Sequence, residues 1–151
     1  MTGWFGFKTP QDLLGKLERE LAKLERDPSD ADAAFNFFIT AWSLVDWLGL
    51  KDKKSLRQKE PVIAACAHLA DGSKHFHLDN TSHTSVGGTA RGGDWAKQPL
   101  RMDPGQRPAS STGLFVRLEG DAAKHFGAFP SALVLARETI AWFRKTVPSA
   151  T

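Results

Sequence analysis

The sequence has almost no cysteine and lacks tyrosine altogether. Among its 151 residues there is one cysteine, Cys66, and no tyrosine. A single cysteine excludes an internal disulfide and is typical of a reducing compartment. No Gly-x-Ser-x-Gly stretch is present, and Cys66 is predicted on the inward stripe of a helix. Nucleophilic hydrolysis is therefore poorly supported, and nothing in the chain predicts a cofactor.

Long apolar runs are also missing. No stretch reaches the roughly 20 apolar residues that a membrane span requires. The first ten residues, MTGWFGFKTP, lack a basic segment followed by an apolar run, so we expect no signal peptide. These patterns predict a cytoplasmic protein without a membrane partner. Lysine plus arginine exceed aspartate plus glutamate by 20 to 17, an excess that suits an anionic partner and equally serves solubility.

Helical periodicity dominates the remaining pattern, and the length fits one domain, residues 1–151. A first helix is predicted to start at Thr9-Pro10 and to stop at Asp27-Pro28. A second, apolar almost all round, is predicted over residues 31–48. Its expected inward residues are Phe35, Phe38, Trp42, Val45 and Leu48.

Two more helices and two short strands complete the predicted fold. The third helix runs from about Pro61 to Asp71-Gly72, with Gly72 closing it in a left-handed conformation. The last helix opens after Pro130-Ser131. Residues 75–78 and 114–119 read as strands that pair with each other, and residues 80–112 read as a long loop rich in Gly, Ser and Pro. The fold class is thus mainly α, a four-helix bundle with a two-stranded antiparallel β insertion and a long loop before the last helix.

The densest run of positive charge falls between the second and third helices. We call residues 51–59 the basic segment; its cationic residues are Lys51, Lys53, Lys54, Arg57 and Lys59. Such a cluster is suited to contact phosphate groups of nucleic acid. It is more often a solvated loop and first helical turn.

The long loop offers a second candidate binding element. Arginine and tryptophan are enriched at binding hot spots, and this segment contains Arg91, Trp95, Arg101 and Arg107. It is interpreted either as a partner-docking element or as a mobile surface loop with one anchoring tryptophan.

Two stretches carry a resemblance to known proteins. FNFFITAWSLVDWL and LADGSKHFHL, followed by LFVRLEG and an apolar last helix, resemble a family of small uncharacterised bacterial proteins, some of them carried on phages or mobile elements. That resemblance covers most of the chain and implies no particular activity.

LADGSKHF also resembles, more distantly, the helix-end motif of HEPN-type helical domains. In that motif an arginine, a polar residue and a histidine form a metal-independent ribonuclease site, usually across a dimer. On this register Asp71 takes the polar position and His75 the histidine position, whereas Ala70 stands where the arginine belongs. Arginine would stabilise the charge of a developing phosphorane, which alanine cannot do. Lys74 or Arg57 would have to supply that charge, and neither has the spacing of the motif.

The histidines permit one further interpretation. His75 and His77 share one face of the predicted strand, with His68, Asp79 or His83 nearby, and imidazole groups suit zinc and similar ions. No HExxH or CxxC pattern accompanies them, and histidines beside a turn are more often ordinary polar residues.

Taken together, the sequence predicts a non-enzymatic binding or accessory protein encoded by a phage or mobile element. It would dock a protein or nucleic-acid partner through the basic segment and the long loop. The alternative is a HEPN-like ribonuclease or RNA-binding protein centred on His75, with Asp71, Lys74 and His77 beside it. The alternative predicts a homodimer, whereas the first hypothesis permits one.

Overall fold

A computed structural model describes residues 3–75, 85–91 and 113–149 of the chain. Within these ranges it contains six helices and two strands. They are α1 (Pro10–Arg26), α2 (Ala31–Trp47), α3 (Lys53–Lys59), α4 (Pro61–Lys74), β1 (Val86–Arg91), β2 (Leu114–Leu118), α5 (Gly120–Phe126) and α6 (Ala132–Thr146). The four long helices enclose the core and the strands form one antiparallel ribbon, which confirms the predicted fold class.

Helix α1 begins where the sequence predicts. Thr9 is the N-cap, and its hydroxyl accepts a hydrogen bond from the backbone N–H of Asp12, while the Asp12 carboxylate accepts one from the N–H of Thr9. This reciprocal capping box satisfies two donors that a helix start otherwise leaves free. The leucines at helical spacing face the core, and the leucine-rich stripe continues through Leu24.

Helices α1 and α2 form an antiparallel hairpin. The turn between them ends at Asp30, which caps α2 by accepting a hydrogen bond from the N–H of Ala33. Each helix has 17 residues and is therefore about 25 Å long. The start of α1 and the end of α2 consequently lie at the same end of the hairpin.

The prediction of which α2 residues face inward is partly wrong. Phe38 and Val45 are buried, and Trp42 and Leu48 are partly buried. Phe35, however, is 48% exposed, and Phe37 is fully buried instead. The helix is apolar on nearly every side, so its sequence pattern does not define one inward stripe, and the neighbouring helices decide which aromatic ring is covered.

Helix α4 extends further than the sequence indicates. Gly72 lies inside the helix, which continues to Lys74 with His75 as its C-cap. The predicted left-handed conformation of Gly72 is wrong, since Gly72 is not among the glycines with positive φ. A glycine that could close a helix does so only where tertiary contacts favour the stop, and here the helix hydrogen bonds continue past it.

The β ribbon differs from its prediction in one strand. β2 lies where expected, but it pairs with β1, within the segment predicted as loop. Its other edge is also occupied, because the N–H groups of Val116 and Leu118 donate to the carbonyls of Pro130 and Ala128. The predicted pairing of β2 with the segment at His75 is therefore wrong. Of that segment only His75 is described; residues 76–78 lie outside the described residues.

Two short helices were missed. The sequence predicts a loop and first helical turn at the basic segment, whereas α3 is a complete short helix capped by Asp52. α5 follows β2 directly, and Ala122 is its buried residue. Short helices of seven residues have little periodicity and gain their stability from packing. No helix among the described residues has the length and apolarity that a membrane crossing demands.

Candidate functional site

The basic segment forms an exposed positive surface at one end of the bundle. α3 directly follows the end of α2, so it lies at the end of the α1–α2 hairpin where α1 starts. We call this end of the bundle, where α1 begins, α2 ends and α3 lies, the basic end. Lys51, Lys54 and Lys59 are exposed, and Arg57 is partly exposed.

An aromatic ring lies among these cations. The Lys53 ammonium is 5.7 Å and the Arg57 guanidinium 6.0 Å from the centroid of the Trp42 ring. Both distances are within the range of cation–π attraction. Lys53 also forms an ion pair with Asp46 at the end of α2. The two interactions fix α3 against α2 and hold Arg57 beside an indole.

Most of the cations on this surface have no acidic partner. Within residues 3–75, 85–91 and 113–149, the ion pairs include Lys53 but none of Lys51, Lys54, Arg57 and Lys59. Two of the three nearby carboxylates are engaged: that of Asp52 accepts a hydrogen bond from the N–H of Ser55, and that of Asp46 binds Lys53. The third, Glu60, makes no side-chain cap hydrogen bond, and these three acids are fewer than the five cations. The surface therefore keeps an excess of positive charge.

The HEPN-like residues lie at the other end of α4. Asp71 and His75 are one turn apart, and the N–H of His75 donates to the carbonyl of Asp71 at 2.8 Å. Lys74 and His75 are exposed, while Asp71 is partly buried. Ala70 is buried, with 5% exposure. Residues four apart share a helix face, so Asp71 and His75 point to the same side. Ala70, which stands where the motif has arginine, lies on a different face of the helix.

α4 has 14 residues and separates these two candidate sites by about 20 Å. His77, Asp79 and His83 lie outside the described residues. Among the residues that are described, no group of three potential ligands could hold a metal ion.

Only one of the four loop candidates is described. Arg91 is exposed at the end of β1, and Trp95, Arg101 and Arg107 lie outside the described residues. The part of the predicted loop that is described is β1, an ordered strand. Its hydrogen bonds to β2 are the reason that a glycine-rich stretch, VGGTAR, is extended here.

Sequence reasoning missed a groove at the end of the bundle opposite the basic end. It has a volume of about 430 Å³ and lies between α2, the last turn of α4 and the ribbon. Phe35 and Phe38 contribute aromatic surface, Arg91 lies on its rim, and Ser73 adds a hydroxyl. The only sequence signal was the excess of aromatic residues on α2.

Cys66 is not part of any candidate site. It is fully buried in α4, where burial raises the pKa of its thiol to about 12. Its sulfur lies 3.3 Å from the hydroxyl oxygen of Thr139. That hydroxyl donates to the carbonyl of Leu135, so the thiol is the donor in the Cys66–Thr139 contact. The predicted inward position of Cys66 is confirmed.

Comparison of the chain with protein-family models, with curated proteins and with solved structures gives no significant match.

Proposed function

We propose that the protein binds nucleic acid through the basic end, as a non-enzymatic accessory module. The observation that carries the proposal is the set of unpaired cations on and beside α3. Lysine and arginine that contact phosphates release condensed counterions, and this release drives sequence-independent binding. A protein surface that only served solubility would have its charges of both signs interspersed, whereas here the five cations of the basic segment outnumber the three neighbouring acids, Asp46, Asp52 and Glu60.

The aromatic ring beside the cations supports the same proposal. Trp42 lies next to Lys53 and Arg57, and aromatic rings beside cations are characteristic of surfaces that contact nucleic-acid strands. The proposal does not depend on the long loop, most of which is outside the described residues. The cytoplasmic location, the phage or mobile-element origin and the homodimer remain predictions from the sequence.

The test compares two triple variants of equal charge. Lys51, Lys54 and Lys59 are replaced by glutamine in the first; Arg19, Arg26 and Lys124, exposed on α1 and α5, are replaced in the control. Both variants lose three charges from a formal net charge of +3. Affinity for a 20-nucleotide RNA is measured by fluorescence anisotropy between 50 and 200 mM salt.

We expect the first variant to bind more weakly, with a salt slope reduced by about 2, since each lost phosphate contact lowers the slope by about 0.7 to 0.9. The control should retain most of the affinity and slope. Equal weakening in both variants would mean that net charge, not the basic end, attracts RNA. No measurable binding by the unmodified protein at 50 mM salt would refute the proposal.

A second candidate function rests on the exposed end of α4. His75 is exposed there with Asp71 on the same side, and an imidazole is the side chain that most often transfers protons in general acid–base catalysis. We propose a HEPN-like metal-independent ribonuclease as the alternative, with Lys74 supplying positive charge. His75→Ala should then abolish RNA cleavage, and a chelator should leave it unchanged. Chelator-sensitive cleavage would indicate a metal site instead, and intact RNA would exclude both.

A further inference from the structure

The N-terminal turn exposes two consecutive large aromatic residues, Trp4 and Phe5. In the segment Trp4–Phe7, which we call the aromatic turn, the N–H of Trp4 donates to the carbonyl of Phe7 and the N–H of Phe7 donates to the carbonyl of Trp4, both at 3.0 Å. Phe7 packs partly against the core. Trp4 is 73% exposed and Phe5 is 99% exposed. The turn is thus fixed at its base by Trp4 and Phe7, and the rings of Trp4, at the base, and Phe5, at the tip, are exposed to solvent.

The backbone of this turn is unfavourable for the residue that occupies it. Phe5 has φ 53° and is the only non-glycine with positive φ among the described residues; Gly6 follows with φ 87°. Positive φ at both central positions is typical of a type I′ turn, which prefers Asn-Gly or Asp-Gly. A bulky residue in this conformation is an outlier. Phe5 therefore contributes neither burial nor a relaxed backbone to folding, and strained positions of this kind concentrate at functional sites.

The aromatic turn lies at the basic end of the bundle. It immediately precedes α1, and the start of α1 is at the same end of the hairpin as the end of α2 and α3. The amide of Gln11 in the first turn of α1 donates to the carbonyl of Pro148, so the chain beyond α6 also reaches this end. Lys8, next to the turn, is exposed and has no ion pair within the described ranges.

We infer that the preferred ligand of the basic end is single-stranded nucleic acid, whose bases stack on Trp4 and Phe5 while its phosphates contact the cations of α3. This inference rests on the proposed function and specifies its substrate class. Unpaired bases expose their faces to an aromatic ring, whereas a duplex hides them in its own stack. Two rings at one turn bury little apolar area, so a bilayer would gain little from them compared with an acyl anchor. Base stacking needs only a ring face.

The test uses variants that remove an exposed aromatic ring without removing a residue of the hydrophobic core. Phe5→Asn replaces the ring with a residue that tolerates positive φ, so the protein should be as stable as before or more stable. Trp4→Ala removes the second ring. Phe35→Ala is the control, because it removes a 48% exposed phenyl ring at the opposite end of the bundle. Thermal unfolding of each variant confirms that it is folded.

The probes are a 15-nucleotide oligouridine, a 15-base-pair RNA duplex, and vesicles of phosphatidylcholine with phosphatidylserine. We expect Phe5→Asn and Trp4→Ala each to weaken oligouridine binding about 10-fold, the scale of one lost stacking contact. Their salt slopes and duplex binding should not change. Phe35→Ala should bind oligouridine like the unmodified protein.

The outcomes separate this inference from the proposed function. If the variant of Lys51, Lys54 and Lys59 loses RNA affinity while both ring variants bind oligouridine normally, the stacking inference fails and the proposed function stands. If the unmodified protein binds neither RNA probe, both fail. Ring-dependent binding to the vesicles without binding to oligouridine would overturn the inference in favour of a lipid surface.

Discussion

The Nδ1 atom of His68 accepts a hydrogen bond from the backbone N–H of Val86 at 3.0 Å. His68 belongs to α4 and Val86 begins β1, so the bond attaches the ribbon to the bundle. Because Nδ1 is an acceptor here, the imidazole is neutral and carries its proton on Nε2. The hydroxyl of Ser85 reinforces the attachment by donating to the carbonyl of Ala64 in the same helix.

Replacing His68 with alanine should loosen this attachment. The N–H of Val86 would lose its partner in a partly buried position, and we expect a decrease of about 1 to 3 kcal/mol in the free energy of unfolding. Hydrogen exchange at the amide of Val86 should accelerate in the same variant. Both quantities are measurable, by chemical denaturation and by mass spectrometry.

His125→Ala is the matched control, since this histidine is exposed on α5. Its stability should change by no more than about 0.5 kcal/mol. Unchanged exchange at Val86 in His68→Ala would show that the ribbon is held by its pairing with β2 and not by α4.

The ribbon also shows which of its two strands local sequence patterns could predict. β2 was predictable because LFVRL has the β-branched and apolar residues of a strand. β1 was not predictable, because its sequence VGGTAR contains two glycines and resembles a loop. Its extended conformation depends on hydrogen bonds to β2 and His68, which are distant in the chain and invisible to local patterns. His75-Phe76-His77-Leu78 had the better local pattern, but β2 pairs elsewhere.

Substitutions of two phenylalanines in α2 test its orientation. Phe37 is fully buried and Phe35 is 48% exposed. Phe37→Ala should lower the free energy of unfolding by about 3 to 5 kcal/mol, because it leaves a cavity in a close-packed core. Phe35→Ala should lower it by less than about 1 kcal/mol. Equal losses in the two variants, measured by urea denaturation, would contradict the observed rotation of the helix.

The candidate site was predictable to the extent that it depends on local charge. The cations of the basic segment stand within nine consecutive residues, so their clustering needs no tertiary information. That most of these cations have no acidic partner could not be predicted without the tertiary structure, since Asp46 and Asp52 could have neutralised more than one of them. The contribution of Trp4 and Phe5 was not foreseen, because exposed aromatic rings and positive φ at Phe5 are properties of the folded chain.

The capping box of α1 predicts a pH-dependent contribution to stability. The N–H groups of Lys8 and Thr9 both donate to the carboxylate of Asp12 at 2.8 Å, and these bonds hold the pKa of Asp12 below its ordinary value. A carboxyl group whose pKa is lower in the folded state stabilises the protein above its unfolded pKa. That contribution is lost as the pH falls through the lowered folded value.

Asp12→Asn should therefore be less stable than the unmodified protein at pH 7, and the difference should shrink below about pH 4. Urea denaturation at several pH values between 7 and 2 measures it. A difference that stays constant over this range would mean that the negative charge of Asp12 does not strengthen the cap.

The thiol of Cys66 should be inert in the folded protein. Burial raises its pKa from 9.0 to about 12, and the reactive species is the thiolate. We expect a thiol reagent at pH 8 to label Cys66 only when the protein unfolds. Ala141→Cys, combined with Cys66→Ala, places a thiol on the exposed side of α6 and should be labelled at once. Rapid labelling of Cys66 without denaturant would show that α4 and α6 open locally.

The same raised pKa has a consequence at alkaline pH. Between about pH 9 and 12 the unfolded thiol loses its proton while the folded one retains it, so the folded state binds more protons and stability decreases as the pH rises. The decrease approaches about 1.4 kcal/mol per pH unit in this interval. Cys66→Ala lacks the titrating group, so its stability relative to the unmodified protein should improve steadily above pH 9. Parallel stability curves for the two proteins between pH 8 and 11 would contradict a buried, protonated thiol.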